Sequence, residues 1–270
     1  MNTKRLPYAE KALGQHFLTN PSIINKICHD FVQEAGAIIE IGPGPGILSQ
    51  HLVKHNRPFL VVEKDRRMQD YLAQYLAPEN IFFADALHFE LEEKLQHLPQ
   101  PIWLVSNLPY NISVPLMIKF SKITDIKFMT LMFQREVAQK ILPSLLSDKK
   151  AKNGMNSLHA LCSNFFDMSL LCRVSPGSFM PPPKVESAVL SLRRKESPTI
   201  SMAEFKDYEA FLRILFSEKR KQVQKILKSH FDPLLVQDTL SKLAISGSLR
   251  SETFNLEQVQ LLYQALCKHS

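Results

Sequence analysis

Between residues 20 and 130 the hydrophobic pattern changes period repeatedly, and this alternation restricts the fold more than any other feature. The runs "AIIEIG" (37–42), "PFLVVEKD" (58–65), "NIFFADAL" (80–87), "PIWLVSN" (101–107) and "IKFMTLMF" (126–133) read as strands. "PSIINKICHDFVQEA", "ILSQHLVKH", "RRMQDYLAQYLA" and "VPLMIKFSKI" carry apolar residues at helical spacing and read as helices among them. A strand that returns through a helix can pair in parallel, because the helix provides the crossover. The expectation is therefore an α/β fold with a mostly parallel sheet.

Beyond residue 133 the rhythm changes. "QREVAQKILPSLL" and "NSLHALCSNFFD" read as helices. "MSLLCRV" (168–174) and "VESAVLSL" (185–192) read as strands, joined by "SPGSFMPPPK". Five parallel strands closed by an antiparallel pair, seven strands in all, fit this order. "RRKESPTIS" is polar and contains a proline, so it reads as a linker. From Met202 onward the chain reads as helix, with Phe205, Tyr208, Phe211, Leu212, Leu215 and Phe216 in one stripe and Asn255 as the N-cap of a last helix. This gives a first domain over 1–195 and a small all-α domain over 196–270.

A chain of 270 residues, 45% hydrophobic, can bury a core of this size. No apolar run approaches a bilayer span, and the N-terminus lacks an apolar signal segment. The four cysteines (Cys28, Cys162, Cys172, Cys267) form no CxxC pair, so reduced thiols, a cytoplasmic location and no metal site are expected. The net charge of +7 favours a polyanionic partner. Basic residues cluster at Arg66-Arg67, at Lys149-Lys150 with Lys152, at Arg193-Arg194-Lys195, and at Lys219-Arg220-Lys221 followed by Lys225 and Lys228. The last group is the densest and falls on a predicted helix, either as a solvated face or as a phosphate contact.

"IIEIGPGPGILS" is strand, glycine loop and helix start. Gly42, Gly44 and Gly46 permit a tight turn and let a ligand approach the backbone. Glu63 ends the next strand, where a carboxylate can accept from both hydroxyls of a ribose. Asp85 ends the strand after that and suits an adenine amine. Successive strands ending this way predict an adenosine site. NAD and S-adenosylmethionine both satisfy it, although Ile47 stands where a GxGxxG loop has its last glycine.

"SNLPYNIS" (106–113) ends the fourth strand on the same sheet edge. The exocyclic amine of adenine is a poor nucleophile, because its lone pair is delocalised into the ring. The Asn107 amide oxygen and the Leu108 carbonyl could accept both amine hydrogens and orient that lone pair. Pro109 fixes the turn and brings no competing N–H. Tyr110 offers a face on which an extruded base can stack. The pair His51 and His55 has helical i, i+4 spacing but no glutamate after His51, so it reads as an ordinary helix face.

Together "GQHFLTN", "EIGPGPG", "VVEKD", "ADAL", "SNLPYNIS" and "SFMPPPKVESAV" resemble the ribosomal RNA adenine dimethyltransferases, in order and over nearly the whole chain. The triple proline 181–183 and the helical C-terminal domain are most similar to the bacterial branch that dimethylates two adjacent adenosines in the 3′-terminal hairpin loop of 16S rRNA. The erythromycin-resistance enzymes, which act on large-subunit RNA, share most of the other motifs. The resemblance implies a Rossmann-like methyltransferase fold, S-adenosylmethionine as donor, no metal, and a cytoplasmic, monomeric enzyme working on immature small subunits without a membrane partner. It implies that His16 and Leu18 line the methionine part of the donor, that Gly42 and Gly44 lie under it, and that Glu63 and Asp85 hold its ribose and adenine. Asn107, with Leu108 and Pro109, would hold the target amine next to the donor, and Tyr110 and Phe179 would sandwich the base. Position 16 is often Asn in such proteins, which implies that its backbone matters. An adenine methyltransferase acting on large-subunit RNA or DNA, or an RNA-binding assembly factor on the same fold, are the alternatives.

Overall fold

The computed structural model describes residues 7, 8, 10, 14–145 and 154–268. The basic group Lys149, Lys150 and Lys152 lies outside the described residues. The elements follow in chain order. The first half holds β1 (Phe17–Leu18), α1 (Pro21–His29), β2 (Ala37–Ile41), α2 (Ser49–Leu52), β3 (Phe59–Glu63), α3 (Gln69–Leu72), β4 (Ile81–Phe83), α4 (Leu91–Leu95), β5 (Ile102–Asn107), α5 (Ser113–Ser121) and β6 (Ile126–Gln134). Then come α6 (Arg135–Ile141), α7 (Ser157–Phe165), β7 (Phe166–Val174), β8 (Phe179–Met180) and β9 (Ser187–Arg194). The chain closes with α8 (Phe205–Leu215), α9 (Val223–Lys228), α10 (Pro233–Lys242) and α11 (Leu256–Cys267).

Two compact units form, one of residues 1–138 and 168–194, the other of 139–167 and 195–270. The segment 139–167, which the sequence pattern groups with the sheet, belongs to the helical unit because α7 packs against α8 and α11. There the Asn164 side chain is the connector: its Nδ2 donates to Ile200 O, and its Oδ1 accepts from Ile200 N and from Gln260 Nε2.

In the first unit, seven strands form one sheet in the order β4-β3-β2-β5-β6-β9-β7. The pairs β2–β3, β3–β4, β2–β5 and β5–β6 are parallel, and β6–β9 is antiparallel. The physical reason is legible in β2, β3 and β5. They are apolar on both faces and almost wholly buried, as a sheet covered on two sides requires. After β2 the chain steps outward to β3 and β4, then returns to the other side of β2 as β5. The direction reverses between β2 and β5, and a crevice opens there beyond the carboxyl ends of the strands.

Helices set the rest. Asn20 caps α1, its side chain accepting from Ser22 N and Ile23 N, with Pro21 in the first helical position. Ile23, Ile24, Ile27 and Cys28 then face the core. Several expectations shorten. The helix read over 66–77 is a 3₁₀ turn at 66–68 followed by only four α-helical residues. The helix read over the basic group 219–228 is confined to Val223–Lys228. At its start Val223 N and Gln224 N donate to Leu249 O and Gly247 O, which draws 217–222 into a turn instead. The two-residue pair β1–β8 is too short to leave a periodicity and is absent from the sequence reading. Among the described residues no helix is long and apolar enough to cross a membrane.

Candidate active site

The crevice contains a cavity of about 250 Å³, lined by residues 14–18, 40–44, 62–64, 84–87 and 107–112 together with Ile47, Leu48 and Leu116. Its floor is the glycine loop after β2. Gly42, Gly44 and Gly46 all have positive φ, where a side chain would be strained. A Cβ at Gly44 would press on the Phe17 ring at 3.3 Å, whereas one at Gly42 would meet no protein atom within 4 Å. That open space lies over the loop and inside the cavity wall, where a ligand can approach the backbone.

Two carboxylates stand beside it. Glu63, at the end of β3, is 5% exposed. Its Oε2 accepts from Gly44 N and its Oε1 from Asp65 N, each at 2.8 Å. Burial pushes this carboxyl above its usual range, against the pull of those backbone N–H groups. The carboxyl group has lone-pair sites beyond these for a hydroxyl donor. Asp85, two residues beyond β4, accepts from Leu87 N at 3.0 Å and pairs with Lys64 Nζ at 2.8 Å. The lysine contact holds the carboxyl below its ordinary range. A third carboxyl, Glu40, is buried under the loop and bonded to Ser49 Oγ at 2.5 Å. Its burial raises it to about 8.

The mouth of the cavity is built from β5 and the N-terminal segment. Asn107 Nδ2 donates to the backbone oxygen of His16 at 3.0 Å. That bond fixes which way the amide faces and keeps Oδ1 as its acceptor. Leu108 follows, almost wholly buried, and Pro109 O receives Ile112 N to close the turn into α5. The Tyr110 hydroxyl meets Ser187 Oγ at 2.7 Å, which ties the ring to β9. The His16 ring stacks on Tyr110 with centroids 5.7 Å apart and 26° between planes, and its Nδ1 lies 2.8 Å from Pro181 O. A half-buried amide with a committed donor and an available acceptor, beside an aromatic face, suits a planar base carrying an exocyclic amine.

A family model for ribosomal RNA adenine dimethylase matches residues 8–266, nearly the whole chain. The chain belongs to the ribosomal RNA adenine dimethylase family. Membership makes it an S-adenosylmethionine-dependent methyltransferase of adenine in ribosomal RNA. The ribosomal RNA small subunit methyltransferase A of Nitrosomonas europaea is 34% identical, over 92% of this chain and 93% of that protein. The protein of the same name from Mycoplasmopsis pulmonis is 37% identical, over 83% of this chain and 85% of its own. A crystal structure of a dimethyladenosine transferase from Plasmodium falciparum superposes with a TM-score of 0.72 at 26% identity, covering 92% of this chain and 97% of that one.

Of the residues expected from the sequence, His16, Leu18, Gly42, Gly44, Glu63, Asp85, Asn107, Leu108, Pro109 and Tyr110 all line the one cavity. Phe179 does not. It is 4% exposed, in β8, paired with Leu18 of β1, and forms no part of the cavity wall. For His16 both parts of the residue are engaged, the backbone by Asn107 and the ring by Tyr110. Sequence reasoning missed Glu40, Lys64 and Ser187. Glu40 was visible as the acid inside "IIEIG", an anomaly in an otherwise apolar buried strand; Lys64 and Ser187 have no such local signal. Among the described residues, side chains of two basic groups are committed within the fold: Arg67 to Asp65, Arg193 to Glu34, and Arg194 to backbone carbonyls. Lys219, Arg220, Lys221 and Lys225 are exposed, with Lys221 paired to Glu218. His55 bonds to Cys28 O and meets His29 edge-on, and among the described residues no three His, Cys, Asp or Glu side chains group as metal ligands.

Proposed function

We propose that this chain transfers methyl groups from S-adenosylmethionine to the N6 amines of two adjacent adenosines in the 3′-terminal hairpin loop of 16S rRNA, as a cytoplasmic monomer acting on immature small subunits. The observation that carries this reading is the Asn107 amide. Its N–H is committed to His16 O, and its oxygen is presented in the same cavity as Glu63 and Asp85. The small-subunit substrate is supported by the names of the relatives that align over most of their length.

The cavity fits the donor. Glu63 would accept from its ribose hydroxyls, Asp85 from its adenine amine, and the space over Gly42 would take its backbone-facing side, with His16 and Leu18 beside the methionine chain. Bound there, S-adenosylmethionine supplies a methyl group already activated on a sulfonium. The protein's contribution is then placement. Asn107 Oδ1 and the Leu108 carbonyl would accept the two hydrogens of the target amine and turn its lone pair out of conjugation. Pro109 offers no N–H to compete for that carbonyl. Tyr110, pinned through its hydroxyl to Ser187, would give the base a stacking face. Phe179 would become a second wall only with a movement of β1 and β8. The exposed lysines and arginine of 219–225 would meet phosphates.

The test offers tritiated S-adenosylmethionine with small-subunit particles lacking the 3′-end dimethyladenosines, fully modified small subunits, large subunits and DNA. The expected result is label in the unmodified small subunits only, recovered as dimethyladenosine. Label in large subunits or DNA moves the substrate, and donor binding without any label overturns the catalytic reading in favour of an assembly factor.

A further inference from the structure

Lys119 makes a set of contacts that packing does not explain. It lies on α5, and Nζ donates to Ala86 O at 3.0 Å, Leu87 O at 3.1 Å and Phe89 O at 2.6 Å. An ammonium has three N–H donors, and here each has a backbone carbonyl. All three carbonyls come from one turn. That turn is closed by His88 N and Phe89 N, both donating to Asp85 O at 2.9 Å, and by Leu87 N donating to the Asp85 carboxylate. Carbonyl dipoles gathered this closely repel one another unless a cation sits among them. The same turn supplies Asp85, Ala86 and Leu87 to the cavity wall.

We infer that Lys119 is a positioning residue for the donor: it fixes the 85–89 turn so that Asp85 meets the adenine at a set distance. The inference rests on the reading of Asp85 as the adenine's partner. Lys119 is not among the residues that line the cavity. Its role is distinct from anchoring α5, because Leu116, Met117 and Phe120 already bury that helix against the core. The ammonium adds nothing to their burial, but it is the group that joins α5, which starts from the Asn107 turn, to the adenine side of the cavity. Lys64 works on the same turn from the other side, through the carboxylate rather than the carbonyls.

The experiment compares the full-length wild type with Lys119→Met, Lys119→Arg and Asp85→Ala. Calorimetry measures binding of S-adenosylhomocysteine and of its 6-oxo (inosine) analogue, which lacks the amine that Asp85 would accept. Methyl transfer to unmodified small subunits gives the donor KM and kcat. Wild type is expected to prefer the adenine ligand. Lys119→Met, which keeps the apolar stem, should weaken that ligand about tenfold, the worth of one charge-assisted contact, and erase most of the preference. Its donor KM should rise while kcat at saturating donor changes by less than about twofold, as for lost ground-state positioning. Lys119→Arg should recover part of the preference. Wild-type affinity and preference in Lys119→Met would overturn the inference. So would an equal loss for both ligands together with a lowered melting temperature, which marks a merely structural lysine. If Asp85→Ala, which leaves no side-chain acceptor, loses the preference and Lys119→Met keeps it, the Lys119 role falls by itself. If Asp85→Ala keeps it and Lys119→Met loses it, the Asp85 assignment falls and Lys119 stands as the organiser of the turn's backbone.

Discussion

Replacing Asn107 by alanine separates two jobs that one amide performs. Its nitrogen holds the N-terminal segment through His16 O at 3.0 Å, and its oxygen is the acceptor offered to the target amine. The first job is an ordinary part-buried hydrogen bond. Losing it should cost about 1 kcal/mol, a drop of roughly 2–4 °C in melting temperature for a chain of this size. Loosening of residues 14–18, which line the donor's side of the cavity, should weaken donor binding by less than about tenfold on the same grounds. The second job exists only when the amine is being methylated. Removal of one preorganised group that acts at the reacting centre costs about 10²–10³ in kcat. Single-turnover transfer at saturating donor measures the second loss, and calorimetry with S-adenosylhomocysteine measures the first. Transfer within about tenfold of wild type, or a loss of donor affinity as large as the loss of transfer, would refute the assignment of the acceptor role. Asn107→Asp sharpens the contrast. Its carboxylate can accept but cannot donate, so two oxygens would face each other across the His16 contact, and this variant should melt lower than Asn107→Ala.

Two further outcomes follow from buried charges. Glu40 is protonated in the folded protein up to about pH 8, because burial disfavours its anion, whereas in the unfolded chain it ionises near pH 4.5. The stability that it contributes is complete below the unfolded value and is lost as pH rises through the folded one. Glu40→Gln keeps an acceptor for Ser49 but does not titrate, so its melting temperature should gain on wild type between about pH 5 and pH 8 and run parallel above; a gap that is constant with pH would refute this. Arg194, 8% exposed, donates to Ile126 O, Ser121 O and Ile123 O, which end α5 and begin β6. Arg194→Met strands those carbonyls and should cost about 3 kcal/mol or more in urea unfolding, while a loss below about 1 kcal/mol would show that solvent reaches them.

Much of the fold was legible because parallel strands announce themselves. β2, β3 and β5 are apolar on both faces, and each is followed by a residue type that the sheet edge can use: glycines after β2, Glu63 at the end of β3, Asn107 at the end of β5. Periodicity failed where elements are short. α2 and α3 have four residues each and β1 and β8 two, below the length at which a period can be counted. The C-terminal helices were visible from their stripes, but the membership of 139–167 in their unit was not, since it depends on which helices share a core.

The sequence by itself determined the chemistry on offer. The glycine loop, two acids at strand ends and Asn-Leu-Pro-Tyr after a strand are local patterns, and local patterns are written in consecutive residues. Tertiary structure decided how those groups are aimed. Asn107 is oriented by a backbone oxygen 91 residues earlier in the chain, and Tyr110 by a serine 77 residues later. Phe179 is drawn into pairing with Leu18 and away from the cavity wall, and Lys119 reaches back to carbonyls about 30 residues before it. Each of these is a contact between segments brought together only when the sheet closes its order around β2 and β5. A sequence names the donors and acceptors, but the direction of a hydrogen bond depends on where the partner's backbone lies, and only the folded chain fixes that.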